Sequence, residues 1–335
     1  MAFSKPYQTT TNGKLYIGEA ERLLGSELGE ELLGHVQLIF TSPPFPLNNQ
    51  KKYGNRKGPD YIKWFSDFAP IFSKLLSPTG SIVVELGNAW EPGRPIQSLL
   101  PLQSLLGFVQ HPDADLRLCQ EFICHNPTRL PSPAQWVTIN RERVTDSYTH
   151  VWWMSNTDSP KADNRKVLRP YSKSTQKMHQ RGSYNSGHRP SGHNISPQSF
   201  LKDNGGSITP NIIEIEPINP NKESRLPNIF SFAHTNSNDY YLRMCKEKHI
   251  LPHPARMPLQ LIEFFIQFLT DPGDLVLDPF AGSNATGFCA QSAKRSWVSI
   301  EIEPDYAEHS RIRFTEELSA SPTDQHENQT SSKGN

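Results

Sequence analysis

The chain has 335 residues, enough for about two domains or for one large domain with an insert. Its 34 basic and 34 acidic residues cancel, which excludes a globally basic nucleic-acid-binding protein and confines any such surface to part of the chain. The four cysteines show no CxxC spacing, which argues against a zinc site or a disulfide framework, and no apolar run reaches the ~18 residues of a transmembrane helix. We therefore expect a cytoplasmic protein without a bound metal.

Strands and helices alternate in the first third of the chain. Apolar runs predict strands, and leucines at helical spacing predict a helix between the first two of them. Pro59 opens a second helix, which Pro70 should kink or divide. The predicted order is strand 15–18, helix 19–33, strand 36–41, helix 59–76, turn 77–80, strand 81–86, and strands around 121–125 and 150–155. This order predicts an α/β fold with a mainly parallel sheet and right-handed crossovers.

The segment from residue 161 to about residue 250 has a different character. Gly, Ser, Asn and Pro dominate it, and eight Lys or Arg residues but a single acid, Asp163, fall between residues 161 and 200. We predict a long functional loop or a small irregular domain here. Scattered charge usually marks a solvated loop, and a local surface for a polyanion is the alternative.

Regular structure is predicted again from residue 258. A helix that is apolar nearly all round should be buried, and a strand–helix–strand–helix series follows it. These elements are predicted at 258–270, 274–278, 285–294, 296–302 and from 304 onward. The polar residues 319–335 are predicted to be disordered.

A glycine-containing loop joins two of these elements. The sequence from Asp278 to Gly287 is DPFAGSNATG, and glycine lets a ligand approach the backbone at the carboxyl edge of the sheet. Its spacing is neither the GxGxxG of dinucleotide sites nor that of a phosphate loop. Glu301 and Glu303 end the next strand, where an acid can accept both ribose hydroxyl protons. An adenosyl ligand such as S-adenosylmethionine fits this pattern, and an ordinary turn with surface carboxylates is the alternative.

A second informative turn follows the strand at 36–41. Thr41-Ser42-Pro43-Pro44-Phe45 combines a rigid Pro-Pro pair, whose carbonyls can accept hydrogen bonds, with a flat aromatic ring. These groups suit a planar substrate that carries an amino group, since stacking of a base on an aromatic ring contributes roughly 1–3 kcal/mol. Taken alone, the segment fits a strand-ending turn with a core phenylalanine better.

Together, the two turns resemble the amino-methyltransferase family of DNA-modification enzymes. The base motif precedes the cofactor loop, as in the permuted β-group of that family. Shorter stretches, at 126–133, 151–153, 189–193, 203–207 and 253–256, resemble the PvuII-type N4-cytosine methyltransferases. The resemblance implies a Rossmann-like fold that uses S-adenosylmethionine, with a mostly parallel seven-stranded sheet, one antiparallel strand and a circularly permuted motif order.

The resemblance assigns roles to residues around the cofactor. Glu301 would hold the ribose, Glu19 would lie on the adenine side where relatives often have Asp, and His253 with Pro254 would close the pocket. Asn284 stands where many relatives have Gly. The residues expected around the rest of the cofactor are Asp278, Pro279, Phe280, Gly282, Ser283 and Thr286.

The resemblance also implies direct methyl transfer to a base that has been flipped out of the duplex. Ser42 Oγ and the Pro43 carbonyl would accept the N–H bonds of an exocyclic amine, Pro44 completes the rigid pair, and Phe45 would stack on the base. Ser42, in place of Asp, favours cytosine N4 over adenine N6. No Pro-Cys pair exists that could supply the nucleophile for methylation of a ring carbon.

Double-stranded DNA is the expected partner. The predicted divisions are a catalytic half (1–160), a target-recognition insert (161–250), a cofactor-binding half (251–318) and the tail (319–335). The candidate DNA-binding residues are Arg141, Arg143, Lys166, Arg169, Arg181, His188, Arg189 and His193. We expect a monomer or a weak dimer, and a restriction endonuclease that shares the site without binding directly is a further expected counterpart.

Three other functions fit parts of the sequence. An adenine-N6 methyltransferase is the nearest, and analysis of the methylated base distinguishes it. A methyltransferase for RNA or a small molecule is a second alternative, which substrate competition tests. A catalytically silent DNA-binding protein is the third, and it would bind the cofactor without turnover.

Overall fold

The computed structural model describes residues 5–45, 56–127, 129–214, 240–254 and 256–314. This described part contains eleven strands: β1 (Gln8–Thr9), β2 (Gly13–Ile17), β3 (Val36–Thr41), β4 (Leu76–Gly87), β5 (Arg117–His125), β6 (Tyr148–Ser155), β7 (Gly187–His188), β8 (Asn194–Ile195), β9 (Ile212–Glu214), β10 (Leu275–Asp278) and β11 (Ser296–Glu301). Nine of them form one sheet in the order β1-β2-β11-β10-β3-β4-β6-β5-β9, and β7 and β8 form a separate hairpin.

Seven longer strands form the body of the described sheet, and one of them is antiparallel to the rest. β2, β11, β10, β3 and β4 run parallel to one another, and β6 runs against β4. β5 runs against β6 and so returns to the common direction. This arrangement confirms the predicted mostly parallel α/β sheet with one antiparallel strand. The short edge strands β1 and β9 extend it and were not predicted.

Helices accompany the strands along most of the described chain. They are α1 (Ala20–Leu24), α2 (Glu27–Leu32), α3 (Gly58–Ser66), α4 (Phe68–Leu75), α5 (Leu100–Val109), α6 (Lys173–Arg181), α7 (Tyr240–Glu247), α8 (Leu259–Leu269), α9 (Ala285–Ser292) and α10 (Pro304–Ser310). Among these, none combines the length and the apolarity needed to cross a membrane.

Alternate side chains of β4 enter two buried clusters, one on each face of the sheet. Val83 belongs to the cluster that contains most of α8, whereas Ile82 and Val84 belong to the cluster with Phe65 of α3 and Phe72 of α4. Successive residues of a strand point to opposite faces. The sheet therefore lies between two helical layers, and its edges remain available for loops.

Two predicted helices are each divided in the structure. The helix predicted over 19–33 forms α1 and α2, and the helix predicted over 59–76 forms α3 and α4 with a break at Asp67. Pro70 lies in the first turn of α4, where a missing N–H costs no intrahelical hydrogen bond. The predicted helix is therefore divided, but at Asp67, three residues before this proline.

The turn predicted over residues 77–80 is wrong, because these residues continue β4. Gln37, on the neighbouring β3, holds them in an extended conformation. Its Nε2 donates to the Thr79 carbonyl at 2.9 Å, and its Oε1 accepts from Ser77 Oγ at 2.9 Å. A contact with the adjacent strand thus overrides the local turn preference of this segment.

The first part of the predicted insert contains α6, the β7–β8 hairpin and β9, so it is more regular than expected. Lys161 Nζ lies 2.7 Å from Asp274, and Lys166 Nζ lies 2.5 Å from Asp271. Both acids precede β10, so these ion pairs attach the start of the insert to the amino edge of the sheet. Residues 215–239 of the insert and the predicted disordered tail at 319–335 lie outside the described residues.

Candidate active site

The two turns that stand out in the sequence meet at one edge of the sheet. β3 ends at Thr41, β10 ends at Asp278, and these two strands are parallel neighbours. Thr41 Oγ1 donates a hydrogen bond to Asp278 Oδ1 at 2.7 Å, across 237 residues of sequence. The two turns therefore begin side by side at the carboxyl ends of parallel strands, where open α/β sheets bind their ligands.

A cavity of about 680 Å³ lies in front of these turns. This volume is within the range of about 300–1,000 Å³ that small-molecule sites have. The wall includes most of the predicted base and cofactor residues: Glu19, Ser42, Pro43, Pro44, Phe45, Pro254, Pro279, Phe280, Gly282, Ser283 and Glu301. Residues that follow four different strands, β2, β3, β10 and β11, thus share one cavity.

Asp278 and Thr286, which were predicted to contact the cofactor, lie behind the cavity wall. Asp278 is 1% exposed, and its two carboxylate oxygens accept hydrogen bonds from Thr41 and Thr286, each at 2.7 Å. It also accepts from the Phe280 N–H at 3.1 Å. Burial raises the pKa of the Asp278 carboxyl to about 6. In this structure both residues support the loop rather than border the cavity, because the loop itself covers them.

Ser42 is paired with a buried carboxylate on the base side of the cavity. Its hydroxyl donates to Glu85 Oε2 at 2.7 Å, and Glu85, on β4, is buried. Burial raises the pKa of the Glu85 carboxyl, while hydrogen bonds from Ser42 and Thr149 and the charge of Arg129 act in the opposite direction. A hydroxyl that donates to a carboxylate keeps lone pairs with which it can accept from a substrate. Ser42 can therefore connect an amine in the cavity to Glu85.

Phe45 is fixed against the end of β4. A Cβ atom on Gly87 would lie 2.7 Å from Phe45 Cε2, so glycine at this position leaves room for the ring. The ring borders the cavity and also packs against the buried cluster that contains α3 and α4. It therefore presents a flat apolar face whose position is set by its surroundings.

The loop after β10 places backbone groups on the cavity wall. Gly282 has a φ of +54°, which favours glycine, and the ring of His253 packs over it. Asn284 also has a positive φ, of +52°, and its side chain accepts from the Gly287 N–H at the start of α9. Asparagine tolerates this conformation better than most residues. The local geometry therefore explains how Asn284 fits a position where the family resemblance leads us to expect Gly.

Glu301 joins this loop to the end of β11. Its Oε2 accepts from the Gly282 N–H at 2.6 Å, and its Oε1 accepts from the Glu303 N–H at 2.9 Å. Burial nevertheless raises the pKa of the Glu301 carboxyl to about 7. The carboxylate is thus held in one orientation at the cavity wall, as a group that binds a pair of hydroxyls requires.

An aromatic slot forms another part of the cavity. The ring centroids of Trp64 and Phe280 are 5.6 Å apart, the indole N–H of Trp64 donates to Glu21, and the Arg56 guanidinium lies 5.7 Å from the Trp64 ring centroid. Flat apolar walls with polar groups at the rim suit a purine ring. Within the described residues, no group of three His, Cys, Asp or Glu side chains could hold a metal ion.

Comparisons with known proteins match this arrangement. A family model described as DNA methylase matches residues 36–311. The Type II methyltransferase M.PvuII of Proteus hauseri is 41% identical over 312 residues, which cover 92% of this chain and 86% of that relative.

The chain belongs to the DNA methylase family.

Solved structures of methylases share the fold. The cytosine-N4-specific PvuII DNA methyltransferase superposes with a TM-score of 0.70 at 35% identity, over 93% of this chain and 90% of that chain. A structure of a DNA modification methylase from Thermus thermophilus has a TM-score of 0.52 at 18% identity and covers 92% of this chain and 96% of its own. The predictions of a DNA methyltransferase, of its fold and of S-adenosylmethionine as its cofactor are confirmed.

The predicted DNA-binding residues of this methylase belong to several separate elements of the fold. Arg141 and Arg143 are exposed in the loop between β5 and β6, which starts and ends at the carboxyl edge of the sheet. Arg169 belongs to the insert, where its NH2 group donates to the Ile212 carbonyl at 3.3 Å. Arg181, His188, Arg189 and His193 belong to α6, the β7–β8 hairpin and its turn, and all but the half-buried Arg189 are exposed.

Lys166, also predicted to bind DNA, lies away from the cavity. Its ammonium group donates to the Thr270 carbonyl at 3.1 Å and lies 2.5 Å from Asp271, both of them at the amino edge of the sheet. The cavity lies at the opposite, carboxyl edge. The charge of Lys166 is therefore used to attach the insert to the body of the methylase.

Several residues of the site were missed by sequence analysis. Glu85 is an acid within the otherwise apolar run SIVVEL, a signal that could have identified it. Arg129 lines the cavity from the segment after β5. Arg313 is buried and donates from Nε to the Ser283 carbonyl at 2.8 Å and from NH2 to Ser283 Oγ at 3.2 Å. No local pattern indicated Arg313, because its partner lies 30 residues away in another turn.

Proposed function

We propose that this methylase transfers a methyl group from S-adenosylmethionine to N4 of cytosine within a short double-stranded DNA sequence. The observation that carries the proposal is the hydrogen bond from Ser42, which lines the same cavity as the Gly282 loop, to the buried Glu85 behind it. The relative M.PvuII shares 41% identity, and the PvuII enzyme of known structure is cytosine-N4-specific. Serine before Pro-Pro-Phe also favours cytosine N4 over adenine N6.

The cavity fits the cofactor and one base in its size and in its groups. Glu301 offers a carboxylate for the ribose hydroxyls, and the aromatic slot of Trp64 and Phe280 offers apolar walls for the adenine. Glu19 and Pro254, both in the wall, would contact the adenine side and close the pocket. When bound, the cofactor supplies an electrophilic methyl group.

The base side would act on the amine of a flipped cytosine. That amine is a weak nucleophile, because its lone pair is delocalised into the ring. Ser42 Oγ would accept one N–H bond while donating its own hydrogen to Glu85, and the Pro43 carbonyl would accept the second N–H bond. Phe45 would stack on the base and hold the amine in line for transfer.

Proton transfer from the product has a path through the same residues. After methyl transfer the nitrogen carries one proton in excess, which Ser42 can accept while its own proton passes to Glu85. Burial raises the pKa of Glu85, so its carboxylate is a better proton acceptor than an exposed one would be. No covalent bond between enzyme and base is needed.

DNA would lie across the carboxyl edge of the sheet. Arg141 and Arg143, in the β5–β6 loop, and the exposed basic residues of α6 and the β7–β8 hairpin would contact phosphates and base edges. The proposed divisions at 160, 250 and 318, the monomeric or weakly dimeric state, and the matching endonuclease all stay predictions. So does the cytoplasmic location.

The modified base tests this proposal directly. Unmethylated DNA would be incubated with the protein and S-adenosylmethionine, digested to nucleosides and analysed by mass spectrometry with N4-methylcytosine, C5-methylcytosine and N6-methyladenine standards. We expect N4-methyldeoxycytidine alone, and its loss with heat-inactivated protein. N6-methyldeoxyadenosine or C5-methyldeoxycytidine as the product would overturn the proposal.

A further inference from the structure

Arg129 places a guanidinium group in the cavity wall beside the base motif. It follows β5, lines the same cavity as Ser42 and Phe45, and is half-buried. Its NH1 group donates to the Tyr148 carbonyl at 3.1 Å, the one hydrogen bond of its side chain within the described residues. A guanidinium carries five N–H donors in a planar fork. The backbone bond therefore orients the group and leaves donors available for a ligand in the cavity.

Arg129 also lies close to the reacting end of the base site. Burial raises the pKa of Glu85, the carboxylate that accepts from Ser42, and the charge of Arg129 acts against this rise. Arg129 and Ser42 line the same cavity, and Glu85 lies behind Ser42 as its hydrogen-bond acceptor. A base that presents an amine to Ser42 would present the rest of its Watson–Crick edge nearby.

The Watson–Crick edge of cytosine carries two further acceptors next to its amine. After the N4 amino group come N3 and O2, which lie side by side in the plane of the ring. The fork of an arginine can donate to two such acceptors at once. Adenine offers N1 and then a C–H group, and thymine offers an N–H donor at N3, so neither matches the fork as well.

We propose that Arg129 is the residue that selects cytosine, by donating hydrogen bonds to O2 and N3 of the flipped base. The proposal rests on the proposed N4-cytosine activity and adds a specificity determinant to it. Enzymes that flip a base read it through hydrogen bonds to this same edge. A site built to pair with such groups rejects a base that lacks them, because its donors would remain unsatisfied.

A phosphate of the flipped nucleotide is the other acceptor that a guanidinium could bind. Half-burial in the cavity and the shared wall with Phe45 favour the base, since phosphates of bound DNA lie along the outside of the protein. The two alternatives involve different atoms of the DNA. Replacing those atoms one at a time therefore separates them.

The test is a double-mutant cycle that combines the removal of one protein side chain with the removal of one substrate atom. The methylation site would first be mapped by sequencing DNA methylated by the wild-type protein. Oligonucleotides would then carry either cytosine or 3-deazacytosine, in which C–H replaces N3, at the target position. Single-turnover methylation and DNA binding would be measured for wild type and Arg129→Met. Arg117→Met, at the other end of β5, is the matched control.

We expect loss of N3 to reduce wild-type and Arg117→Met methylation by roughly 10–100-fold more than it reduces that of Arg129→Met. The deaza base changes the intrinsic reactivity of the amine, but this change is common to all three proteins and cancels in the comparison. Arg129→Met should also methylate an adenine at the target position with less discrimination. An equal loss in all proteins would overturn the proposal.

Further arms separate this proposal from others. A neutral methylphosphonate beside the target should affect wild type and Arg129→Met equally, and a loss confined to wild type would assign Arg129 to the phosphate instead.

If Arg129→Met does not fold, as judged by thermal unfolding and cofactor binding, Arg129→Lys replaces it, since one ammonium cannot donate to both acceptors as a fork. If the wild-type product is not N4-methylcytosine, the proposed function itself is rejected. If the product is N4-methylcytosine but the loss of N3 affects wild type and Arg129→Met equally, only the role of Arg129 is rejected.

Discussion

At the scale of single residues, the chemistry depends on pairs that are distant in sequence. Ser42 and Glu85 are 43 positions apart, and Thr41 and Asp278 are 237 positions apart. Serine and the two prolines could be assigned from the sequence because they are adjacent in a motif. Glu85 could not be paired with Ser42 in the same way, because only the register between β3 and β4 brings them together.

Removing either member of the Ser42–Glu85 pair should slow methyl transfer. We expect Ser42→Ala and Glu85→Gln each to lower kcat by about 10²-fold or more, within the usual contribution of acid–base catalysis, with cofactor affinity unchanged. The pKa of Glu85 is raised by burial, so its accepting form accumulates as pH rises. Wild-type kcat should therefore rise with pH to a plateau, and the Glu85→Gln profile should be flatter.

Single-turnover rates across pH, together with cofactor binding by calorimetry, check this expectation. Ser77→Ala, which alters a hydroxyl at the opposite end of β4, serves as the control variant. Full activity in Ser42→Ala, or an unchanged pH profile in Glu85→Gln, would remove the pair from catalysis.

At the scale of elements, the sequence predicted which strands and helices are buried better than it predicted where each element begins and ends. The apolar runs of β3 and β10 and the all-round apolar α8 were predicted from local pattern, because burial on both sides leaves a direct mark on the sequence. The extended conformation of residues 77–80 was not predicted, because it depends on the side chain of Gln37, which lies on another strand. Likewise, β9 depends on pairing with β5 rather than on its own three residues.

The buried helix α8 contains a carboxyl group with a predictable effect on stability. Glu263 is 7% exposed, its Oε1 has no hydrogen-bond partner within the described residues, and burial raises its pKa from 4.5 to about 8. At a pH between 4.5 and about 8, Glu263 keeps its proton in the folded protein, whereas it has lost that proton in the unfolded chain. The free energy of unfolding should therefore fall as pH rises through this window.

Glu263→Gln should remove this part of the pH dependence. We expect the variant to gain stability over wild type as pH increases from 5 to 8, by a few kcal/mol at most, while the two remain similar near pH 4. Urea unfolding at several pH values measures the difference. Glu247→Gln, an exposed glutamate on α7, is the control and should not change the slope. A slope for Glu263→Gln equal to that of wild type would contradict the assignment.

At the scale of the whole molecule, motifs that are far apart along the chain lie next to each other in the fold. The base turn precedes the cofactor loop by more than 200 residues, yet β3 and β10 are neighbours at the centre of the sheet. The sequence predicted this meeting through the strand pattern and the family resemblance together. The placement of the basic insert could not be predicted, because ion pairs such as Lys166–Asp271 depend on the finished fold.

Exposed basic residues of the insert and the paired Lys166 should contribute differently to DNA binding. Arg181→Met, at the end of α6, should weaken DNA binding and reduce the salt dependence by about one ion, as expected for a lost phosphate contact. Lys166→Met should lower thermal stability and leave DNA affinity unchanged, because its charge is paired with Asp271. Binding isotherms at several salt concentrations measure both. Equal loss of affinity in the two variants would contradict this reading of the structure.

The central claim is that the Ser42 turn and the Gly282 loop bring an extruded base and a methyl donor together in one cavity. A crystal structure of the protein with S-adenosylhomocysteine and its DNA site tests this most directly. We predict that the cofactor sulfur lies against the Gly282 loop and that a flipped cytosine places N4 at hydrogen-bond distance, about 2.7–3.2 Å, from Ser42 Oγ. A target base still stacked in the duplex, or a sulfur atom on the far side of the sheet from Ser42, would contradict the account.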